Sequence, residues 1–128
     1  MNTNPEISDI SAPFWHGLTQ RKLMLQYDNS TGRAQFYPRP LSLYSEAGVH
    51  WREASGRGTI FALTLSRVSP PALESLVPYP LALVQLEEGP RMIARIHAQH
   101  DLLRPGQAVQ SAWESMEAGA RFPIFKPS

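Results

Sequence analysis

Apolar positions change period partway along the chain. Between Ser11 and Lys22 they follow a helical rule: Phe14, Trp15 and Leu18 fall at i, i+1 and i+4 and make one stripe. Ser11 stands where it can cap this helix, and Pro13 sits in the first turn, where its missing N–H costs no hydrogen bond. Residues 1–10 are polar, carry Pro5 and are expected to form a flexible arm. Leu23-Met24-Leu25-Gln26-Tyr27 reads as a short strand.

From Val49 the pattern is that of strands. Val49–Ala54 is a candidate strand, and Ser55-Gly56-Arg57-Gly58 a turn or bulge. Thr59–Val68 is a long strand carrying Ile60, Phe61, Leu63 and Leu65, ended by Ser69-Pro70-Pro71. A loop to Pro80 follows. Leu81–Leu86 is apolar almost throughout, as expected of a strand buried on both faces. Glu87-Glu88-Gly89-Pro90 turns into the return strand Arg91–Ile96. Asp101–Gln107 reads as a helical turn ended by Pro105-Gly106, Ala108–Glu114 as the next strand and Pro123-Ile124-Phe125 as a short last one. About five strands, a tight central hairpin and a short helical turn before the penultimate strand suggest a small closed barrel of the OB type, with a β-sandwich as the alternative.

Asp28–Gly48 fits neither pattern. A turn cluster, Asp28-Asn29-Ser30-Thr31-Gly32, precedes Phe36-Tyr37-Pro38-Arg39-Pro40, whose prolines would break a central strand. So long a stretch with little regular structure is unusual inside a compact domain unless it is functional, disordered or held by something not visible locally.

Composition narrows the chemistry. The 128 residues suit one domain and a core that folds without staples. There is no cysteine, hence no disulfide, thiol nucleophile or Cys-ligated metal. The 12 prolines argue against a helical bundle. A formal net charge of +1 is not the footprint of a strong nucleic-acid or membrane-surface binder. Only Lys22 and Lys126 of the basic residues are Lys; the predominance of Arg suits an anionic ligand or a polar interface, and equally reflects codon bias. No stretch approaches the length of a membrane helix, and the N-terminus lacks the basic and apolar regions of a signal peptide, so the expected compartment is the cytoplasm.

Motifs that could carry catalysis are weak. His97-Ala98-Gln99-His100 has a metal half-site spacing, but no helix or third ligand accompanies it. Glu87-Glu88 reads as a solvated turn, His16 as a packing or interface residue, and Ser55–Thr59 leads into a strand rather than the helix a phosphate loop needs. Phe61 is the only aromatic in Thr59–Leu65, and Leu81–Leu86 and Arg91–Ile96 have none, so the base-stacking platform of a single-strand binder is missing.

An ordered series of short motifs resembles a known family. It runs Phe14-Trp15-x-Gly17-Leu18, Leu23-x-Leu25-Gln26, Tyr37-Pro38-Arg39-Pro40, Trp51-x-x-Ala54-Ser55-Gly56-Arg57-Gly58-Thr59, Glu87–Arg91 and Gly106-Gln107-Ala108-Val109. The series is similar to the thiolase-associated OB-fold proteins, described as acyl-CoA-associated, over about residues 11–127. The resemblance implies a mainly β chain: an N-terminal helix and rubredoxin-like zinc ribbon over residues 11–48, then a five-stranded OB barrel over 49–128. The family's ribbon carries two C-x-x-C pairs, which fall here on Asp28 and Thr31 and on Ser42 and Ser45. All four thiolate positions are replaced, so zinc is expected to be absent and the ribbon to be a degenerate, metal-free one. It must then keep its shape through an apolar or hydrogen-bonded substitute, or become a mobile loop.

By the same resemblance the chain is a non-catalytic accessory subunit of a thiolase-like or ketosynthase-like enzyme. It would support assembly and the acyl-CoA channel, with a CoA ester reached through the partner. Phe14, Trp15, Leu18 and Tyr37 are then the expected interface anchors. Arg39, Arg57 and Arg91 are candidates for CoA phosphate contacts or interface ion pairs. The alternative is a stand-alone module binding acyl-CoA or single-stranded nucleic acid.

Overall fold

The computed structural model of the protein describes residues 10–66, 78–113 and 123–128. The expected arm, the loop between the long strand and Pro80, and the end of the strand at Glu114 lie largely or wholly outside those residues.

Helix α1 spans Ala12–Thr19, shorter than the expected Ser11–Lys22, because Arg21 turns to a positive φ of 61° and ends the helical path. The Ser11 hydroxyl does not cap it; the Ser11 carbonyl instead accepts the Phe14 N–H at 3.0 Å. Pro13 occupies the first turn as expected.

Strands β1 (Met24–Asp28), β2 (Ala34–Gln35) and β3 (Val49–Glu53) form an antiparallel sheet in the order β2-β1-β3. Gln26 faces Gln35 on one side and Trp51 on the other. Thus Val49–Glu53, which its strand pattern groups with the barrel, is hydrogen-bonded to the ribbon through β1. The barrel strands begin at Arg57.

Strands β4 (Arg57–Ser66), β5 (Tyr79–Leu86), β6 (Arg91–Ile96), β7 (Ala108–Ser111) and β8 (Ile124–Pro127) close into a barrel ordered β4-β5-β6-β8-β7. The β6–β8 pair is parallel and the others antiparallel. This is the five-stranded OB-type barrel. The turn before β7 is a single 3-10 turn at His100–Leu102.

Inward positions alternate along the strands. Ala82, Val84 and Leu86 of β5 meet Met92, Ala94 and Ile96 of β6, with Ile60, Val109 and Phe125 closing the core. Leu81 and Leu83 point outward and are only partly covered, so β5 is not buried on both faces as its apolar run suggested. The expected bulge also moves: the register slips between Ile60 and Ala62, not at residues 55–58. The glycine at 58 serves close packing, since a Cβ there would lie 2.5 Å from the Gln85 carbonyl oxygen.

One continuous core joins the two sheets. Phe14, Leu23, Leu25 and Tyr27 belong to the same apolar cluster as the barrel residues, and the Ala54 N–H donates to the Leu23 carbonyl at 2.7 Å where the chain passes between them. Phe14 is fully buried, with its ring centroid 5.1 Å from that of Trp15, edge to face, and 5.2 Å from that of Phe36. Trp15 and Leu18 pack partly against the same cluster. The expectation that Phe14 anchors an interface is therefore corrected. It fastens the helix to the ribbon from inside.

Phe14→Ala is expected to cost about 3–5 kcal/mol of unfolding free energy, the range for deleting a buried aromatic ring. Equilibrium denaturation should also show Gly58→Ala as strongly destabilising, because backbone rather than a movable side chain opposes the added methyl group.

Candidate functional site

The four positions aligned with thiolates converge on one carboxylate. Asp28 ends β1 and is buried. Its Oδ2 accepts the backbone N–H groups of Ser30 at 3.0 Å and Thr31 at 2.5 Å, and the Ser45 hydroxyl donates to Oδ1 at 2.5 Å. The hydroxyls of Ser42 and Thr31 also act on its charge, lowering its pKa. Hydrogen bonds from the Ser42 and Ser45 hydroxyls, aided by Thr31, hold this carboxyl well below the ordinary carboxylate range despite its burial. The ends of the Asp28–Gly32 turn are tied as well: the Gly32 N–H donates to the Asp28 carbonyl, and the Asp28 N–H to that of Arg33, both at 2.9 Å.

This donor set does not fit zinc. It offers one carboxylate with both oxygens already engaged, and three hydroxyls, where structural zinc takes thiolates and imidazoles. Among the described residues no group of three or more His, Cys, Asp or Glu is placed to hold a metal ion. The carboxylate joins the Asp28–Thr31 turn to the Ser42–Ser45 turn, the two segments a metal would have bridged.

Two buried glutamines, Gln26 of the Leu23-x-Leu25-Gln26 motif and Gln35, which no sequence signal marked, fix the segment between those turns. Gln26 Nε2 donates to the Arg39 carbonyl and its Oε1 accepts the Arg39 N–H, both at 2.8 Å. Gln35 Nε2 donates to Gln26 Oε1 at 2.8 Å and to the Leu41 carbonyl at 3.2 Å, while Gln35 Oε1 accepts the Leu43 N–H at 2.9 Å. These side chains act as an extra strand edge for a proline-containing segment that cannot pair regularly. Arg33 lies over the Tyr44 ring at 3.9 Å and adds a further tie.

The segment so held shows its apolar side chains to solvent. Leu41 is 73% exposed, Leu43 54% and Tyr37 49%. Three large apolar groups on a fixed backbone make a preorganised contact surface, because little further ordering is needed on binding.

The arginine candidates are not gathered in one place. Arg39 is exposed on the ribbon. Arg57 pairs with Glu87 at 2.9 Å on the surface, an arrangement of small energetic weight. The Ser55 hydroxyl first, and then Arg57, hold the Glu87 carboxyl below its usual range. Arg91 Nε donates to Gln85 Oε1 at 3.1 Å, with its guanidinium 3.6 Å from the Phe61 ring centroid. His97 directly follows β6, His100 opens the 3-10 turn and His16 is exposed, while His50 Nδ1 is 2.5 Å from Asn29 Oδ1. A cleft of about 360 Å³ separates the ribbon, at Arg33 and Tyr44, from the barrel hairpin at Glu88–Pro90. Glu88 crosses this junction, accepting the Ser55 N–H at 2.8 Å. Burial raises the Tyr27 hydroxyl pKa, with the charge of Glu88 adding to it and Arg52 opposing.

Comparison with known proteins agrees with this architecture. The family model described as ChsH2, C-terminal OB-fold domain, matches residues 51–114, half of the chain. The chain belongs to this family. Among solved structures, a chain of an Ltp2-ChsH2(DUF35) aldolase superposes with a TM-score of 0.82 at 27% identity, over 96% of this chain and 98% of that one. A DUF35-family protein of unknown function from Sulfolobus solfataricus shares the fold, at TM-score 0.66 and 12% identity over 94% of this chain and 87% of that one. A DUF35 domain-containing scaffold protein of Pyrococcus furiosus is 31% identical over 84 residues, 65% of this chain and 62% of that one. The alpha subunit of a 3-oxo-4,17-pregnadiene-20-carboxyl-CoA hydratase from Mycobacterium tuberculosis is 31% identical over 93 residues, 72% of this chain. The chain thus spans 62% and 29% of the lengths of these two curated relatives.

The Asp28 knot has a pH signature. A carboxyl more acidic when folded than when unfolded means that the unfolded chain binds more protons on the acid side, so stability falls as pH drops below the ordinary Asp range of about 4. Asp28→Asn is expected to lower stability at neutral pH and flatten that acid limb in pH-dependent unfolding. Gln26→Leu should speed amide exchange at Arg39 while barrel amides such as that of Val84 keep their protection, as read by hydrogen-exchange NMR.

Proposed function

We propose that this chain is a non-catalytic accessory subunit of a thiolase-like, acyl-CoA-processing enzyme, supporting its assembly and its acyl-CoA channel. The observation that carries the reading is the ribbon surface of Tyr37, Leu41 and Leu43, exposed on a backbone that Gln26 and Gln35 hold in place. Exposed apolar groups are costly to maintain without a partner, and a prearranged set of them is what a docking surface requires. The likeness to the chain of the Ltp2-ChsH2(DUF35) aldolase and to the Pyrococcus scaffold protein supports the same reading. Catalytic groups would then belong to the partner, with a CoA ester reached through it. We further propose that the ribbon works without zinc, its two turns bridged by Asp28. No described helix is long and apolar enough to cross a membrane.

Co-expression with a thiolase-like protein of the same genome tests the assignment. The expected outcome is a stable complex on size-exclusion chromatography with acyl-CoA turnover, and none from this chain alone. Tyr37→Ser with Leu41→Ser should weaken the complex about tenfold or more while leaving the chain folded. A chain that stays alone and binds acyl-CoA or oligonucleotides would support the stand-alone module instead.

A further inference from the structure

The outer face of the barrel carries a second surface, remote in sequence from the ribbon. The registers of β4, β5 and β6 set their outward side chains in three rows: Thr59–Gln85–Arg91, Ala62–Leu83–Ile93 and Thr64–Leu81–Arg95. The slip between Ile60 and Ala62 adds Phe61 beside the middle row. Phe61 and Ile93 are 49% and 50% exposed. An apolar cleft of about 220 Å³ runs along this face, lined by Leu63, Leu81, Leu83 and Ile93 among others.

Charge distinguishes the possible occupants. The three rows hold two arginines, at either side of Ile93, and no carboxylate. Two copies of this face meeting about a two-fold axis through Ile93 would set guanidinium against guanidinium in either register, so self-pairing is opposed. A free acyl chain is also a poor match: among the described residues the lining comes from the neighbouring strands β4, β5 and β6 alone, with no second element across from them, whereas small-ligand sites enclose most of their ligand. A protein segment with an apolar ridge flanked by Asp or Glu satisfies both features. Arg91 is already braced by Gln85 and the Phe61 ring, which reduces the ordering needed to receive a carboxylate.

We propose that the β4–β5–β6 face docks such a segment of a protein partner, with apolar side chains in the cleft and carboxylates on Arg91 and Arg95. This inference rests on the accessory-subunit reading and gives the same partner a second point of attachment. The test uses the full chain and the co-expressed thiolase-like subunit. Ile93→Glu is expected to weaken the complex about tenfold, and Arg91→Gln with Arg95→Gln to reduce the loss of affinity with added salt. A photo-crosslinker at position 93 should capture the catalytic subunit whether or not Ile93→Glu folds. The inference is overturned if the crosslinker captures a second copy of this chain, or stays unreacted within an intact complex. Unchanged affinity and salt dependence in the folded variants would overturn it equally. If the wild-type chain forms no complex at all, the accessory-subunit reading fails first and this surface with it.

Discussion

The bonds converging on the Asp28 carboxylate tie the two turns of the ribbon directly to each other through one buried charge. Its oxygens accept from the backbone of the Asp28–Thr31 turn and from the hydroxyl of Ser45 on the opposite turn. A buried carboxylate is costly unless its acceptor sites are filled, and here they are filled by fixed N–H and hydroxyl donors. The charge therefore demands the turns as much as the turns use the charge. Without that mutual requirement the intervening segment would rest on the two glutamines and on Tyr44, which stacks under Arg33 and donates to the Ala34 carbonyl, and Tyr37, Leu41 and Leu43 would be less firmly placed.

The barrel supplies the base for this arrangement. Its core is continuous with that beneath α1 and β1, so the ribbon is seated on packed side chains rather than hung from a linker. Phe14 and Phe36 fill the space between helix and ribbon, and the Ala54–Leu23 hydrogen bond and Glu88 reinforce the passage to the barrel. The apolar ribbon segment and the arginine-flanked barrel face consequently share one scaffold, so two contacts with a partner can act together without each paying separately for ordering.

Much of the barrel is legible in the sequence because period-two burial and the Glu87–Pro90 hairpin are local signals. The outward leucines of β5 mislead, since an apolar run reads the same whether its second face is buried or left as a surface. The pairing of β3 with β1 is not legible, because nothing within Val49–Glu53 records which sheet it joins. Phe14 shows the same limit: a helical stripe identifies an apolar face but not whether that face meets the chain itself or a partner. At the ribbon, the resemblance picks out Asp28, Thr31, Ser42 and Ser45 as aligned positions. Their convergence on one acceptor appears only when the turns are brought together. In the sequence Gln26 stands out only as part of a family motif and Gln35 not at all, because a glutamine in a strand is usually solvated. Their signal is register, two polar residues opposite each other on a buried face.

The claim at the centre of this account is that a carboxylate, rather than a metal ion, bridges the ribbon. Native mass spectrometry with elemental analysis of the chain, produced in zinc-supplemented medium, tests it most directly. The account predicts the metal-free mass and a thermal unfolding curve unchanged by a strong chelator. One equivalent of zinc per chain, removed together with the ribbon's stability by that chelator, would contradict it.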